Sequence, residues 1–150
     1  MDTALVTAII DRDWEDFESS CRRLGFGTPV RSDGVISLTC RPRGTDDEFL
    51  AVILCDDYDA KAPLLDFGDP ASSEDIGRQW WPRMAAAPMN NISYEGRHLP
   101  ILCVPGTRGY HLHPSHCNEA HARAAWRLPV TATILQRLLH QWGPYQGRGL

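Results

Sequence analysis

The stretch Phe49-Leu-Ala-Val-Ile-Leu-Cys55 is apolar at every position. A continuous apolar run this short reads as a central β-strand covered on both faces. Two nearby stretches supply neighbours. Val35 to Cys40 is rich in strand formers and opens after the turn Ser32-Asp33-Gly34. Pro63 to Phe67 is shorter, and its leading proline cannot donate to a ladder, which points to a sheet edge. Turn-rich links between the three predict an antiparallel meander.

Upstream, residues 3–24 place Leu5, Val6, Ile9, Ile10, Trp14, Phe17, Cys21 and Leu24 at helical spacing, with Gly25 as a stop. Downstream, Asp69-Pro-Ala-Ser-Ser-Glu74 has the serine cap and acidic first turn of a helix start, with a short helix through Trp80 and Trp81. A fourth strand is expected over His98 to Val104, then a loop from Pro105 to Pro114. Helices follow over Asn118 to Trp126 and Thr131 to Trp142, and the tail from Gly143 is expected to fray. The order defines an α+β domain over residues 1–150: an N-terminal helix, a four-stranded antiparallel meander and C-terminal helices.

A chain of 150 residues with 43% apolar and 23% charged side chains has the composition of a globular protein with a core. The net charge of −4 offers no general basic surface for nucleic acid. Asp2 stands where an export signal would be positive, and the apolar run Ala4 to Ile10 stops at Asp11-Arg12-Asp13. No stretch approaches the roughly 18 apolar residues of a membrane span. Five cysteines, an odd number, without an export signal read as reduced thiols in a cytoplasm. No Gly-x-Gly-x-x-Gly, P-loop or Ser/His/Asp pattern supports nucleotide binding or serine chemistry.

Cys103 has the most informative setting of the five. It ends the strand-like run in Leu99-Pro-Ile-Leu-Cys-Val-Pro-Gly106, and His98, His111, His113, His116 and His121 lie within eighteen residues of it. A thiol at a strand end, beside a turn and near bases, is where a covalent nucleophile is placed. The competing reading is a packed core thiol, since free cysteine is among the most buried residue types. Cys21 lies on a helical apolar stripe, Cys40 and Cys55 end apolar strand runs, and Cys117 falls inside the histidine cluster.

This order of elements resembles the ubiquitin-conjugating enzyme fold, and more closely its bacterial relatives. Asp57-Tyr-Asp-Ala-Lys-Ala-Pro-Leu-Leu-Asp-Phe67 is similar to the family's Tyr-Pro-x-x-Pro-Pro-x-x-x-Phe crossing into the third strand, with Tyr58, Pro63 and Phe67 at the matching places. Gly96-Arg-His-Leu-Pro-Ile-Leu-Cys103, with Trp126 and the Ile134 to Trp142 helix downstream, resembles the segment bearing the active cysteine and the helix behind it. The family's His-Pro-Asn tripeptide is missing, as it commonly is in bacterial members. Asn90 and Asn91 lie thirteen and twelve residues before Cys103, further than the family spacing, and the stretch from Phe67 to Cys103 is longer than usual. The resemblance implies a cysteine-dependent transferase of bacterial antiphage operons, including the CBASS class. Cys103 would carry the C-terminus of a partner as a thioester and pass it to an amine. The implied partner is a ubiquitin-like protein or a cGAS-like nucleotidyltransferase, in some systems with an activating enzyme.

That chemistry asks for a lowered thiol pKa, a donor for the tetrahedral oxyanion and a base for the amine's proton. His98, His111 and His113 are the candidates for the first and third roles. Asn90, Asn91 or the backbone N–H groups of the Pro105-Gly106 turn are candidates for the second.

The run Tyr110-His-Leu-His-Pro-Ser-His-Cys-Asn-Glu-Ala-His121 gathers further donors. His111 and His113 would alternate onto one face of an extended segment, and Cys117 and His121 would share a helix face. With His116 these form a candidate structural zinc site; otherwise the histidines serve the cysteine or form a polar loop. No other cofactor is implied. Gly109-Tyr-His-Leu-His-Pro114 also resembles the Gly-x-x-His-Ser-His-Pro core of zinc isopeptidases of the JAMM type, but the following Ser-x-x-Asp is absent, the region reading His121-Ala-Arg-Ala124. The alternatives to the transferase are thus a non-catalytic conjugating-fold scaffold or zinc-stabilised interaction module, and such an isopeptidase. Trp80, Trp81 and Trp126 read as core or interface residues.

Overall fold

A computed structural model describes residues 2–56, 58, 60–94, 96–117 and 127–150. The expected helix over Asn118 to Trp126, with His121 and Trp126, lies outside the described residues, as does Asp57. Helix α1 (Thr3–Arg23) starts where the Asp2 carboxylate accepts the Ala4 N–H and stops before Gly25, whose φ is +78°. Its buried stripe is Val6, Ile10, Asp13, Phe17, Ser20 and Cys21.

Five antiparallel strands form the sheet in chain order: β1 (Val30–Ser32), β2 (Val35–Cys40), β3 (Phe49–Leu54), β4 (Leu64–Asp69) and β5 (Ser72–Ile76). The sheet therefore has one strand more than the expected four. Asp33 and Gly34, at φ +45° and +76°, make the tight β1–β2 hairpin, a turn that needs positive φ at both central residues. β3 is the central strand, paired with β2 and β4 and buried from Phe49 through Ile53. One face of the sheet (Ile36, Leu38, Phe49, Ala51, Ile53, Leu65, Phe67) joins α1 and α3 in the core.

β4 is not an edge. Pro63 precedes the first ladder pair, Leu54–Leu64, so its missing N–H costs the sheet nothing. The segment expected to start a helix at Asp69 makes the β4–β5 hairpin instead. Asp69 Oδ1 accepts the Ala71 N–H at 2.9 Å, capping a turn with the chemistry that would have capped a helix.

After a 3-10 turn over Arg78–Trp80 come β6 (Pro82–Met84), then a separate hairpin of β7 (Met89–Tyr94) and β8 (Arg97–Leu102). β8, expected as the meander's fourth strand, thus pairs among the described residues with β7 alone. Part of the expected loop forms a one-turn helix, α2 (Arg108–Leu112), capped by Thr107. Helix α3 (Leu128–His140) begins earlier than expected because Pro129 suits the first turn. The tail does not fray: β9 (Tyr145–Arg148) pairs with β6, and Gly149 N–H donates to the Trp81 carbonyl at 2.8 Å. Arg148 donates to the Glu48 carbonyl at 2.6 Å and lies 4.1 Å from the Phe49 ring centroid.

Two buried polar groups tie the elements together. Asp13 accepts from the Tyr58 hydroxyl and from Arg127, each at 2.7 Å, and the Tyr58 oxygen accepts the Leu128 N–H at 2.7 Å. Arg108 holds the crossing between β3 and β4: Nε donates to the Ala62 carbonyl at 2.9 Å, Nη2 to the Asp56 carbonyl at 2.8 Å, and Nη1 to the Asp56 carboxylate at 2.7 Å. Asp56 is 65% exposed, so the ion pair adds little and the carbonyl contacts dominate. Arg108→Ala is expected to lower unfolding free energy by about 2–3 kcal/mol, read from the denaturant midpoint, because the buried Ala62 carbonyl loses its donor.

Candidate functional site

Cys103 follows directly from the buried anchors Ile101 and Leu102, and its backbone N–H donates to the Pro88 carbonyl at 2.8 Å. The chain then turns at Gly106, φ +97°, and the buried Thr107 hydroxyl lies 2.9 Å from both the Leu102 and Val104 carbonyls. α2 packs tightly on β8: a Cβ at Gly109 would come within 2.7 Å of the Ile101 Cβ. The thiol is therefore carried on a constrained turn between two packed elements.

The hairpin brings Asn90 to that thiol. Asn90 pairs with Ile101, so thirteen residues of sequence collapse to adjacent strands. Its Oδ1 accepts the Asn91 N–H at 2.8 Å, which directs the NH2 end the other way. That NH2 end lies 2.9 Å from His113 Nε2, and the Asn90 side chain favours the ionised form of the Cys103 thiol. His113 Nδ1 faces the Ser115 N–H at 3.2 Å. Each contact asks a ring nitrogen to accept, and a neutral imidazole accepts at only one, so the two compete for the tautomer. Around the ring, Tyr110 stacks on His116 at 4.0 Å between centroids, and His113 lies 5.7 Å from His116.

Cys103 is partly exposed, unlike Cys21, Cys40 and Cys55, which are buried with thiols pushed up to about 12 by desolvation. Burial also raises the Cys103 thiol, and the Asn90 bond opposes it. Among the described residues, the Cys103 thiol thus departs from the lowered pKa sought in the sequence: none of their cations offsets the desolvation. Cys117 is exposed, with its sulfur 3.3 Å from the Pro114 carbonyl.

The remaining candidates separate. His98 pairs with Ser93, five residues before Cys103, about 16 Å along the strand. Asn91 pairs with Pro100, and strand alternation turns it to the hairpin face opposite Asn90. His111 lies in α2, beside Tyr110 at 5.1 Å between ring centroids. The expected extended display of His111 and His113 gives way to a helix ending in His113 as its cap, and helical backbone turns residues two apart by about 200°. Among the described residues, no three His, Cys, Asp or Glu side chains are grouped as metal ligands, with His111, His113, His116 and Cys117 among those described. The signal that would have singled out Asn90 over Asn91 is Gly96, whose φ of +75° lies at the turn between β7 and β8 that sets the hairpin register.

Fold and site together define a mixed α+β protein with an N-terminal helix, a five-stranded antiparallel sheet, a C-terminal helix and a part-exposed cysteine. No helix among the described residues is long and apolar enough to cross a membrane. No protein-family model matches the chain, and no curated protein matches it in sequence.

Proposed function

We propose that this protein is a ubiquitin-conjugating-type acyl carrier acting in bacterial antiphage defence in the cytoplasm. The Cys103 sulfur attacks the activated C-terminal carbonyl of a partner, a ubiquitin-like modifier or a cGAS-like nucleotidyltransferase, presented as a thioester by an activating enzyme. The activating enzyme's sulfur leaves, taking up the proton that Cys103 gives, and a Cys103 thioester forms. An amine then attacks that carbonyl, the C–S bond breaks, Cys103 departs as thiolate, and the amine's proton passes to a base. The observation that carries this reading is the Asn90 side chain, which favours the ionised Cys103 thiol and whose NH2 end lies 2.9 Å from His113 Nε2. A donor beside the attacked carbon stabilises the oxyanion in both steps. His113, one amide group from the sulfur, supplies the base.

The raised Cys103 thiol favours the second reading, a conjugating-fold scaffold or zinc-stabilised interaction module with an inert cysteine. A peptide carrying a C-terminal mercaptoethanesulfonate thioester separates the two. Intact-mass spectrometry is expected to show one acyl group, mapped to Cys103 and released by hydroxylamine at neutral pH. Acylation of Cys117 alone, or none at a concentration that acylates free cysteine, overturns the transferase.

A further inference from the structure

A cleft of about 460 Å³ lies between β4–β5 and β8, and Cys103 does not line it. Leu54, Ile76, Leu99 and Pro100 give it aliphatic walls, and Asp66 lies within it. The Asp66 carboxyl is half-buried and divided in its duties. Oδ1 accepts both the Phe67 N–H at 2.8 Å and the Trp81 indole N–H at 2.7 Å. Oδ2 accepts no hydrogen bond among the described residues. Arg78 and His98 also line the cleft, yet both are exposed and neither forms an ion pair with Asp66. Burial raises the carboxyl's pKa and only the two hydrogen bonds lower it. An asparagine would accept the same two bonds without the desolvation cost of a charge, so nothing within the described protein uses the charge.

We propose that this cleft binds a primary ammonium on an alkyl chain, a lysine side chain of a partner or a free polyamine, with its methylenes on the aliphatic walls and its charge on Asp66 Oδ2. One free oxygen suits a point donor; a guanidinium fork needs two, and Oδ1 is already taken. The proposal stands apart from the Cys103 reading. Leu99 and Pro100 lie four and three residues before Cys103, about 10–13 Å along the strand, so a bound ammonium is not the reacting amine.

The Trp81 indole N–H reports directly on Asp66, and its ¹⁵N–¹H resonance can be followed while probes are added to the full chain. Nα-acetyl-lysine methylamide and putrescine are expected to shift it saturably; butan-1-ol is not, and butylguanidinium is expected to bind at least fivefold more weakly. Asp66→Asn, which keeps the acceptor, is expected to weaken both amines at least tenfold while the rest of the spectrum stays in place. Tighter binding of the lysine derivative identifies a protein partner; tighter binding of putrescine identifies a free polyamine. No shift with either amine, an equal shift with butan-1-ol, or undiminished binding by Asp66→Asn overturns the proposal. Should Asp66→Asn disturb the fold, the comparison of amine with alcohol on the unaltered protein still decides it.

Discussion

Asn90→Ala is expected to slow acyl transfer through Cys103 by about 100- to 1000-fold in single-turnover assays with a peptide thioester, the cost of removing one oxyanion donor. Cys103→Ala should abolish acyl capture altogether, since the thioester forms on that sulfur and Cys21, Cys40 and Cys55 are buried. Both variants should keep the wild-type denaturation midpoint to within about 1 kcal/mol, because both side chains are at least partly exposed. In the double variant the Asn90 effect vanishes, as it must for groups that act as a unit. His113→Ala should cost less, about tenfold, because the Asn91 N–H still holds the amide's oxygen. An Asn90→Ala protein that transfers as fast as wild type would remove the amide from the mechanism.

Asp13→Ala is expected to destabilise the fold by about 3 kcal/mol, the lower range for removing one partner of a buried charge pair, because Arg127 is partly exposed and can rehydrate. The carboxylate itself has no side-chain exposure. Its pKa lies well below the usual carboxylate range: burial opposes this, but hydrogen bonds from Arg12, Arg127 and Tyr58 prevail. A carboxyl more acidic folded than unfolded stabilises the fold above the unfolded pKa, near 4, and loses that contribution as pH falls toward its folded pKa. Wild type should therefore lose stability more steeply than Asp13→Ala as pH drops below about 5, and the two denaturation midpoints should converge in acid. Parallel curves would show that the Asp13 charge does not contribute.

Elements whose signal is local are legible in the order of residues. The apolar run Phe49–Leu54 reads as a strand with partners on both sides, and the stripe from Val6 to Cys21 reads as the inner face of a helix. Expectation and fold part where one residue type serves two local structures. Asp69 and the serines after it cap helices and turns equally well, and the β4–β5 hairpin arises from pairing with β4, which no local signal announces. Gly147 and Gly149 read as a loose end, yet both take positive φ within a tail held by Arg148 and by the Trp81 carbonyl.

The candidate site shows the same division. Cys103 is singled out by its strand end and turn. Its partner is not, because distance along the chain misleads wherever a hairpin intervenes: Asn90, thirteen residues away, acts on the thiol, while His98, five away, lies far along β8. The chain's own order of apolar and turn residues determined α1, α3, the central strands and the α+β class, because periodicity acts over a few residues. Tertiary packing alone decided the fifth strand, the separate β7–β8 hairpin, the approach of Asn90 to His113 and the uncompensated Asp66. Strand register and burial depend on segments that are remote in sequence and close only once folded.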